Sequence, residues 1–382
     1  MQGIEHLLNK KFLQMKEWLE WKMRQSLFYF STDIRNSGFK VATIDANFFP
    51  AGFGLFSECA KKRAAKKIEK KIKGKKVLLL IEDHTRNQFY FKNVHAIGSI
   101  LTMAGNEVRF ANLSNLTVSQ SCNLHLEKIS RKEDKLLTSS GFIPDVVVIN
   151  NDMISSKPEV LDDILQECIP PTGIGWFNRK KSDYFCHYDQ VVKDFCDEFE
   201  IDSWFFSAYW NRCDNVDFKR KIGTESIYNA AEDLIAKISK KYQEYQIKDT
   251  PYVFIKANRG SYGMGVVPIF DPQQIVDPNK SLRKKMESTK GNTLIQDVLI
   301  QEGVKTVDKH LGHPSELMCY TMYGEVVAFI DRYNTLHNSQ ENLNSSGMQF
   351  ADSVHHAGEN KVLFLVSALS VIAAEREILQ VL

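Results

Sequence analysis

Apolar residues in the first 24 positions, Leu7, Leu8, Phe12, Met15, Leu19 and Met23, recur at three- and four-residue spacing and predict an amphipathic helix. Three β-type runs follow at 76–81, 107–111 and 144–149. A helical pattern over 90–104, closed by Gly105, lies between the first two, so the unit reads β-α-β with a parallel sheet. Helical patterns then cover 182–199 and 224–245, with a basic helix start at 280–286. The stretch 252–267 reads as strand, glycine-rich loop, strand. A β run over 292–301 leads into Gln301-Glu302-Gly303, and 316–332 predicts a hairpin turning at Tyr323-Gly324. The apolar run within 361–374, about 13 residues, is short of the roughly 20 a membrane span needs and predicts a buried C-terminal helix. Pro170, Pro171, Gly173 and Gly175 mark a boundary, dividing an α/β chain into units at 1–175 and 176–382.

One segment breaks the pattern. Residues 28–53 mix Asp33, Arg35, Asp45 and Asn47 with aromatics, and Pro50 and Gly52 interrupt any regular element. This suits a pocket wall better than a plain core strand. Arg35 could grip a carboxylate with two prongs while Asp33, Asp45 or Asn47 holds an ammonium group, or an internal Asp to Arg pair could fix a loop. Two of the predicted strands run into polar clusters, 82–87 and 150–152, which carry His84, Arg86 and Asn151. Ligands of open α/β sheets sit beyond the carboxyl ends of strands, so these clusters belong on a shared rim.

Composition narrows the class. Forty-nine basic and 47 acidic residues leave a net charge of +2, which gives no reason to expect nucleic acid as a partner. The basic run at 61–76, with interspersed Ala and Ile, suits a solvated helix face. Seven scattered cysteines, never spaced as CxxC, point to free thiols in a reducing compartment and argue against a disulfide framework or a zinc site. The N-terminal stretch has no apolar core of the secretory kind.

The candidate chemistry lies in the second unit. Lys256 ends a strand, and Gly260, Gly263 and Gly265 follow around Ser261 and Tyr262. Backbone N–H groups of such a loop can converge on an anion, with Lys256 adding a point charge. The loop leads into a strand with no Gly-Lys-Ser/Thr, so it is neither a dinucleotide fingerprint nor a P-loop, and a plain glycine hairpin is the alternative. Arg179-Lys180-Lys181 opens a helix against its dipole, which hints at an anion there. Backbone leaving the strand at Gln301, Glu302 and Val304 could meet a purine edge, with the Glu302 carboxylate for the ribose. Asp331 and Arg332 precede a polar loop, and Asp331, Glu341, Asn342 and Asn344 offer oxygens suited to Mg²⁺ against phosphates.

Taken together, a lysine strand with a glycine-rich loop, a Gln-Glu linker and an Asp/Arg hairpin with a downstream Glu/Asn loop resemble the nucleotide site of ATP-grasp ligases. Lys256-Ala-Asn-Arg-Gly260-Ser-Tyr-Gly263-Met-Gly265, Ile300-Gln-Glu-Gly-Val304, Ile330-Asp-Arg332 and Glu341-Asn-Leu-Asn344 are similar to the proteobacterial ATP-grasp-type glutamate-cysteine ligase family. So are Asp33-Ile-Arg-Asn-Ser-Gly-Phe-Lys40, Asp45-Ala-Asn-Phe-Phe-Pro50, His84-Thr-Arg-Asn87 and Gly175-Trp-Phe-Asn-Arg-Lys-Lys-Ser182. Asn258 departs from the family's usual Asp, and the segment between Arg332 and Glu341 is shorter than usual.

The resemblance implies a parallel-sheet pre-ATP-grasp domain followed by a two-lobed ATP-grasp domain. It also implies a cytoplasmic enzyme using ATP and Mg²⁺ to join the glutamate γ-carboxylate to the cysteine amine through a γ-glutamyl phosphate. By the same resemblance Lys256 and Arg332 are catalytic. Lys181, Lys256, Gly260, Ser261, Tyr262, Gly263, Gly265, Gln301, Glu302 and Val304 hold the nucleotide. Asp33, Arg35, Asp45, Asn47, His84, Arg86 and Asn151 meet the substrate, and Asp331, Glu341 and Asn344 the metal. Small molecules are the expected partners, with no membrane, and a homo-oligomer stays open. The alternatives are another ligase of this fold and a relative that binds nucleotide and amino acid with impaired catalysis.

Overall fold

Met15 and Leu19 of the first predicted helix are wholly buried, because helix α1 (Gln2–Lys22) lays its apolar stripe on the body of the protein. The computed structural model describes residues 2–83, 88–114, 124–260, 263–287, 294–355 and 360–382. After α1 come β1 (Phe30–Asn36), β2 (Val41–Asn47), α2 (Glu58–Glu69), β3 (Lys76–Ile81), α3 (Gln88–Met103) and β4 (Glu107–Asn112). Next are β5 (Leu126–Glu127), β6 (Ile129–Lys132), β7 (Lys135–Thr138), β8 (Val146–Asn150) and β9 (Glu167–Ile169). The second half holds α4 (Lys181–Phe199), β10 (Trp210–Asp214), α5 (Thr224–Glu244), β11 (Val253–Ala257), β12 (Val266–Ile269), α6 (Gln273–Val276) and α7 (Lys280–Lys285). It ends with β13 (Asp297–Glu302), β14 (Lys309–His310), β15 (His313–Met322), β16 (Glu325–Asn334), β17 (Met348–Asp352) and α8 (Lys361–Leu379).

The expected β-α-β unit is present. Strands β3, β4 and β8 pair in parallel within the order β5-β4-β3-β8-β9, and the side chains of Val77 to Ile81 are buried on both faces. The basic run after Lys61 is helical only to Glu69, where α2 ends, and Lys76 already belongs to β3.

Residues 28–53 depart from expectation by forming two regular strands as well as a wall. Strand β1 is buried almost throughout and sits inside a six-stranded sheet ordered β17-β16-β15-β1-β2, with β14 attached to β15. Charged groups are tolerated there because they pair with one another, which removes the cost of leaving a buried charge alone. This sheet joins strands from both sides of the expected 175/176 division. A smaller antiparallel sheet, β10-β13-β11-β12, is backed by Ile227, Leu234 and Ile238 of α5.

Alternation along the six-stranded sheet sorts its faces. Ile34, Leu317 and Phe329 turn to α8, whose residues Leu365 to Ala374 are buried against α4 and α1. Met318 and Ile330 turn the other way, toward α2 and the parallel sheet. Each fully buried Leu or Ile contributes roughly 1.5 to 3 kcal/mol. Helix α8 also fastens the chain after α1, because buried Glu375 accepts the Arg24 N–H at 2.7 Å and the Ser26 N–H at 2.8 Å. No helix among the described residues is long and apolar enough to cross a membrane.

Candidate functional site

The six-stranded sheet and the smaller four-stranded sheet face one another across a cleft lined by residues of both. Period-two alternation places Phe254, Lys256 and Gln301 of β11 and β13 on one wall. Asp33, Arg35, Asp45, Glu316 and Arg332 form the other. The cleft thus gathers Lys181, Lys256, Gly260, Gly263, Gln301, Glu302, Val304, Asp33, Arg35, Asp45, Arg332 and Asn344 from the sequence expectation.

Lys256 is buried and donates to Ile44 O at 2.8 Å and to Gln301 Oε1 at 2.6 Å. Burial lowers its ammonium from 10.5 to about 8; Asp45 opposes this, and Lys181 and Arg35 add to it. Since Gln301 Oε1 accepts from Lys256, the amide is fixed in orientation. Its Nε2 is left buried with no hydrogen-bond partner among the described residues. A buried donor without an acceptor costs roughly 1 to 3 kcal/mol. Lys181 reaches Asp45 Oδ1 at 2.6 Å. Burial would raise Asp45, but Lys181 and Lys256 outweigh it and hold the carboxyl below its ordinary range.

Among the described residues the lining carries four cations, Arg35, Lys181, Lys256 and Arg332, against the carboxylates Asp33, Asp45 and Glu316, with Glu302 paired to Lys40. Those four against three leave one positive charge for an incoming anion. Above the cleft, the glycine loop closes on the polar loop, with Asn342 Nδ2 donating to Gly263 O at 3.1 Å. Gly263 has φ +66° and a Cβ there would lie 2.2 Å from Asn344 O, so the closure requires glycine.

Several expected roles are not supported by the geometry. Arg35 is spent inside the protein: Nε meets Glu316 at 2.6 Å, Nη1 meets Val304 O at 3.1 Å and Nη2 meets Glu341 O at 2.8 Å. The internal pair, here with Glu316, prevails over a carboxylate grip. The Glu302 carboxylate is also occupied, by Lys40 Nζ, Trp204 Nε1 and Tyr209 N, each at 3.0 Å, and so is not presented to a ribose. The basic start of α4 holds no open amide site at its first turn, because Asn258 accepts from both Lys181 N and Ser182 N.

Asp331, Glu341 and Asn344 do not form one metal set. Asp331 pairs across the sheet with Leu317 and so faces α8, away from Arg332; its carboxyl, raised by burial, lies 3.6 Å from His310 Nδ1. The Glu341 carboxylate turns back to Asn338 N at 2.8 Å, and Asn344 alone lines the cleft. Asn151 braces the end of β8 through Ile81 O and Met153 N, and Asn47 lies in β2 outside the cleft lining. Gly265 stands behind the lining, with its O accepting Ala257 N at 2.7 Å. His84, Arg86, Ser261 and Tyr262 lie outside the described residues.

Sequence reasoning missed Glu316, and it offered Asn342 as a metal donor where the structure has its amide holding Gly263 O. Glu316 receives Arg35 and, at 2.8 and 2.6 Å, the Nε and Nη2 of Arg332, whose Nη2 also meets Asp33 at 2.5 Å. A lone carboxylate at the head of an apolar strand was the available signal.

The glutamate-cysteine ligase family model matches residues 5–362. Among solved structures, a candidate gamma-glutamylcysteine synthetase from Methylobacillus flagellatus KT is 31% identical over 99% of this chain and 96% of its own, with a TM-score of 0.86. A glutathione synthetase-like effector from Globodera pallida is 13% identical over 87% of this chain and 82% of its own, with a TM-score of 0.38. No curated protein matches the chain.

Proposed function

The chain belongs to the glutamate-cysteine ligase family, and on that premise we propose that the cleft between its two antiparallel sheets is where ATP activates the glutamate γ-carboxylate for attack by the cysteine amine. A carboxylate does not react with an amine at neutral pH, because its carbonyl carbon is electron-rich and its oxygen leaves poorly. ATP supplies the missing leaving group by converting the carboxylate to an acyl phosphate, which the amine displaces. The residues' task is positioning and charge neutralisation.

The single observation that carries the assignment is the buried Gln301 Nε2, without a partner among the described residues, beside Lys256 in a cleft of net positive charge. These groups fit a nucleotide. Lys256, Lys181 and the backbone of the glycine loop would hold phosphates, and the chain at Gln301 to Val304 would border the base. Asp45 on the opposite wall suits an ammonium group, whereas Asp33 is already held by Arg332. The side chains expected for Mg²⁺ do not fit a protein-made three-donor site, since Asp331 faces α8 and Glu341 is bound within its own loop. Free thiols, seen at Cys59, Cys168, Cys186, Cys196, Cys213 and Cys319, agree with a cytoplasmic setting.

ADP release with ATP, Mg²⁺ and glutamate, with and without cysteine, tests this reading. Release should require both amino acids, and Lys256→Ala should lower it by about two orders of magnitude or more, the scale of losing one transition-state contact. Release that ignores cysteine but follows another amine would move the assignment to a different ligase. No amine-dependent release at all would favour a binding protein.

A further inference from the structure

Asn258 directly follows the strand bearing Lys256; it is 0% exposed and tied to two other elements. Its N–H donates to Asp297 O at 3.1 Å, and its carbonyl accepts Lys181 N at 2.7 Å. In the side chain, Oδ1 accepts Ser182 N at 2.9 Å, while Nδ2 donates to Ser182 Oγ at 3.1 Å and to Asp297 Oδ2 at 3.2 Å. Helix α4 lacks a cap of its own, because its N-cap residue is Lys180, which makes no side-chain cap bond. Asn258 therefore satisfies the first orphan amides of α4 from 76 residues away in sequence.

Lys181 is the residue held by this bracket, and Lys256 lies two positions before Asn258. One buried amide thus links the backbones that carry the two ammonium groups of the cleft. We infer that Asn258 is a positioning residue that sets Lys181 and Lys256 at a fixed separation for one anionic ligand, and that beside this chain's Asp297 its side chain must be uncharged to do so. The inference rests on the reading of the cleft as a nucleotide site. An aspartate here could still accept the Ser182 N–H, but it would set a second carboxylate against Asp297 at hydrogen-bond distance.

ATP binding to the full chain by calorimetry, with Mg²⁺ present, tests this together with steady-state kinetics. Lys181→Ala and Asn258→Ala should each weaken ATP about tenfold, the scale of one charge-assisted bond. The double variant should be little weaker than either, because one acts through the other. The KM for ATP should rise while that for glutamate stays put; a merely structural defect would lower the active fraction, and hence kcat alone. Asn258→Asp should bind poorly or fail to fold, and adding Asp297→Asn should restore affinity to within about threefold by exchanging the two groups. Additive losses in the alanine pair, wild-type affinity in Asn258→Ala, or an exchange that restores nothing would each overturn the inference. If the wild type binds no ATP, the nucleotide reading falls and takes this one with it. If the wild type binds and Asn258→Ala matches it, only the bracket falls.

Discussion

Arg332 and Glu316 stand directly opposite one another on β16 and β15, and Arg332 Nη2 lies 2.6 Å from Glu316 Oε1. Glu316 is also the counter-ion of Arg35, so one carboxylate is shared by two buried guanidinium groups. Glu316→Ala should therefore cost about 3 to 5 kcal/mol, the penalty for stranding a buried charge, in urea unfolding at neutral pH. Burial alone would raise Glu316, but Arg35 and Arg332 outweigh it and hold the carboxyl below its ordinary 4.5. Its stabilisation is accordingly full above that pH and is lost as acid protonates the folded state. A loss under 1 kcal/mol would mean that the two arginines find other partners.

Lys256 gives a prediction of opposite sense. With its ammonium brought down by burial to about 8, the group is charged and attractive to an anion below that pH and increasingly neutral above it. ATP affinity should decline as pH rises through 8, with proton uptake on binding, and Lys256→Arg should flatten the profile because a guanidinium stays charged. Calorimetry at pH 7 and 9 in two buffers of different ionisation enthalpy reads both quantities. Equal affinity at the two pH values without proton uptake would rule this out.

Gly263→Ala would put a methyl group 2.2 Å from Asn344 O, in a left-handed backbone conformation. The strain is about 1 to 2 kcal/mol. The loop should relieve it by lifting from Asn342 and Asn344, so the KM for ATP should rise several-fold while thermal stability barely changes. An unchanged KM would show that the loop does not close over the ligand.

The metal assignment separates cleanly by variant. Asp331→Asn lies on the α8 face and should leave the half-saturating Mg²⁺ concentration within about twofold, well below the roughly 10- to 100-fold that loss of even an outer-shell partner costs. Asn344→Ala, inside the cleft, should raise it. A large Mg²⁺ dependence confined to Asp331→Asn would reverse the placement argued from the sheet register.

Most elements were legible because their apolar periods are strong, as in the β3-α3-β4 unit and the hairpin turning at Tyr323-Gly324, both positions having positive φ. The register of that hairpin was not. Met322 pairs with Glu325, and counting six residues outward on each strand sets Glu316 against Asp331. An irregularity between Tyr320 and Thr321 shifts the pairing by one, so Arg332 meets Glu316 and Asp331 is turned to the other face. A single extra residue thus separated the expected metal ligand from the cleft and supplied the ion pair that no spacing announced. Arg35 was ambiguous for a related reason: sequence shows a guanidinium among polar residues but not which carboxylate, internal or incoming, stands 2.6 Å away.

The six-stranded sheet has a further consequence for how the chain is made. Strand β1 has β15 as its inner neighbour, and Phe30 and Thr321, paired across that boundary, are 291 residues apart. At synthesis rates of about 5 to 20 residues per second, β1 waits on the order of 15 to 60 s for the strand that completes its hydrogen bonding. A pairing of such long range is slow to close even in a finished chain. The β1-β2 hairpin, with its aromatic flanks, is therefore the part of the nascent protein most open to capture by other chains, and holding that edge apart until residue 322 has emerged is what a chaperone would do for it.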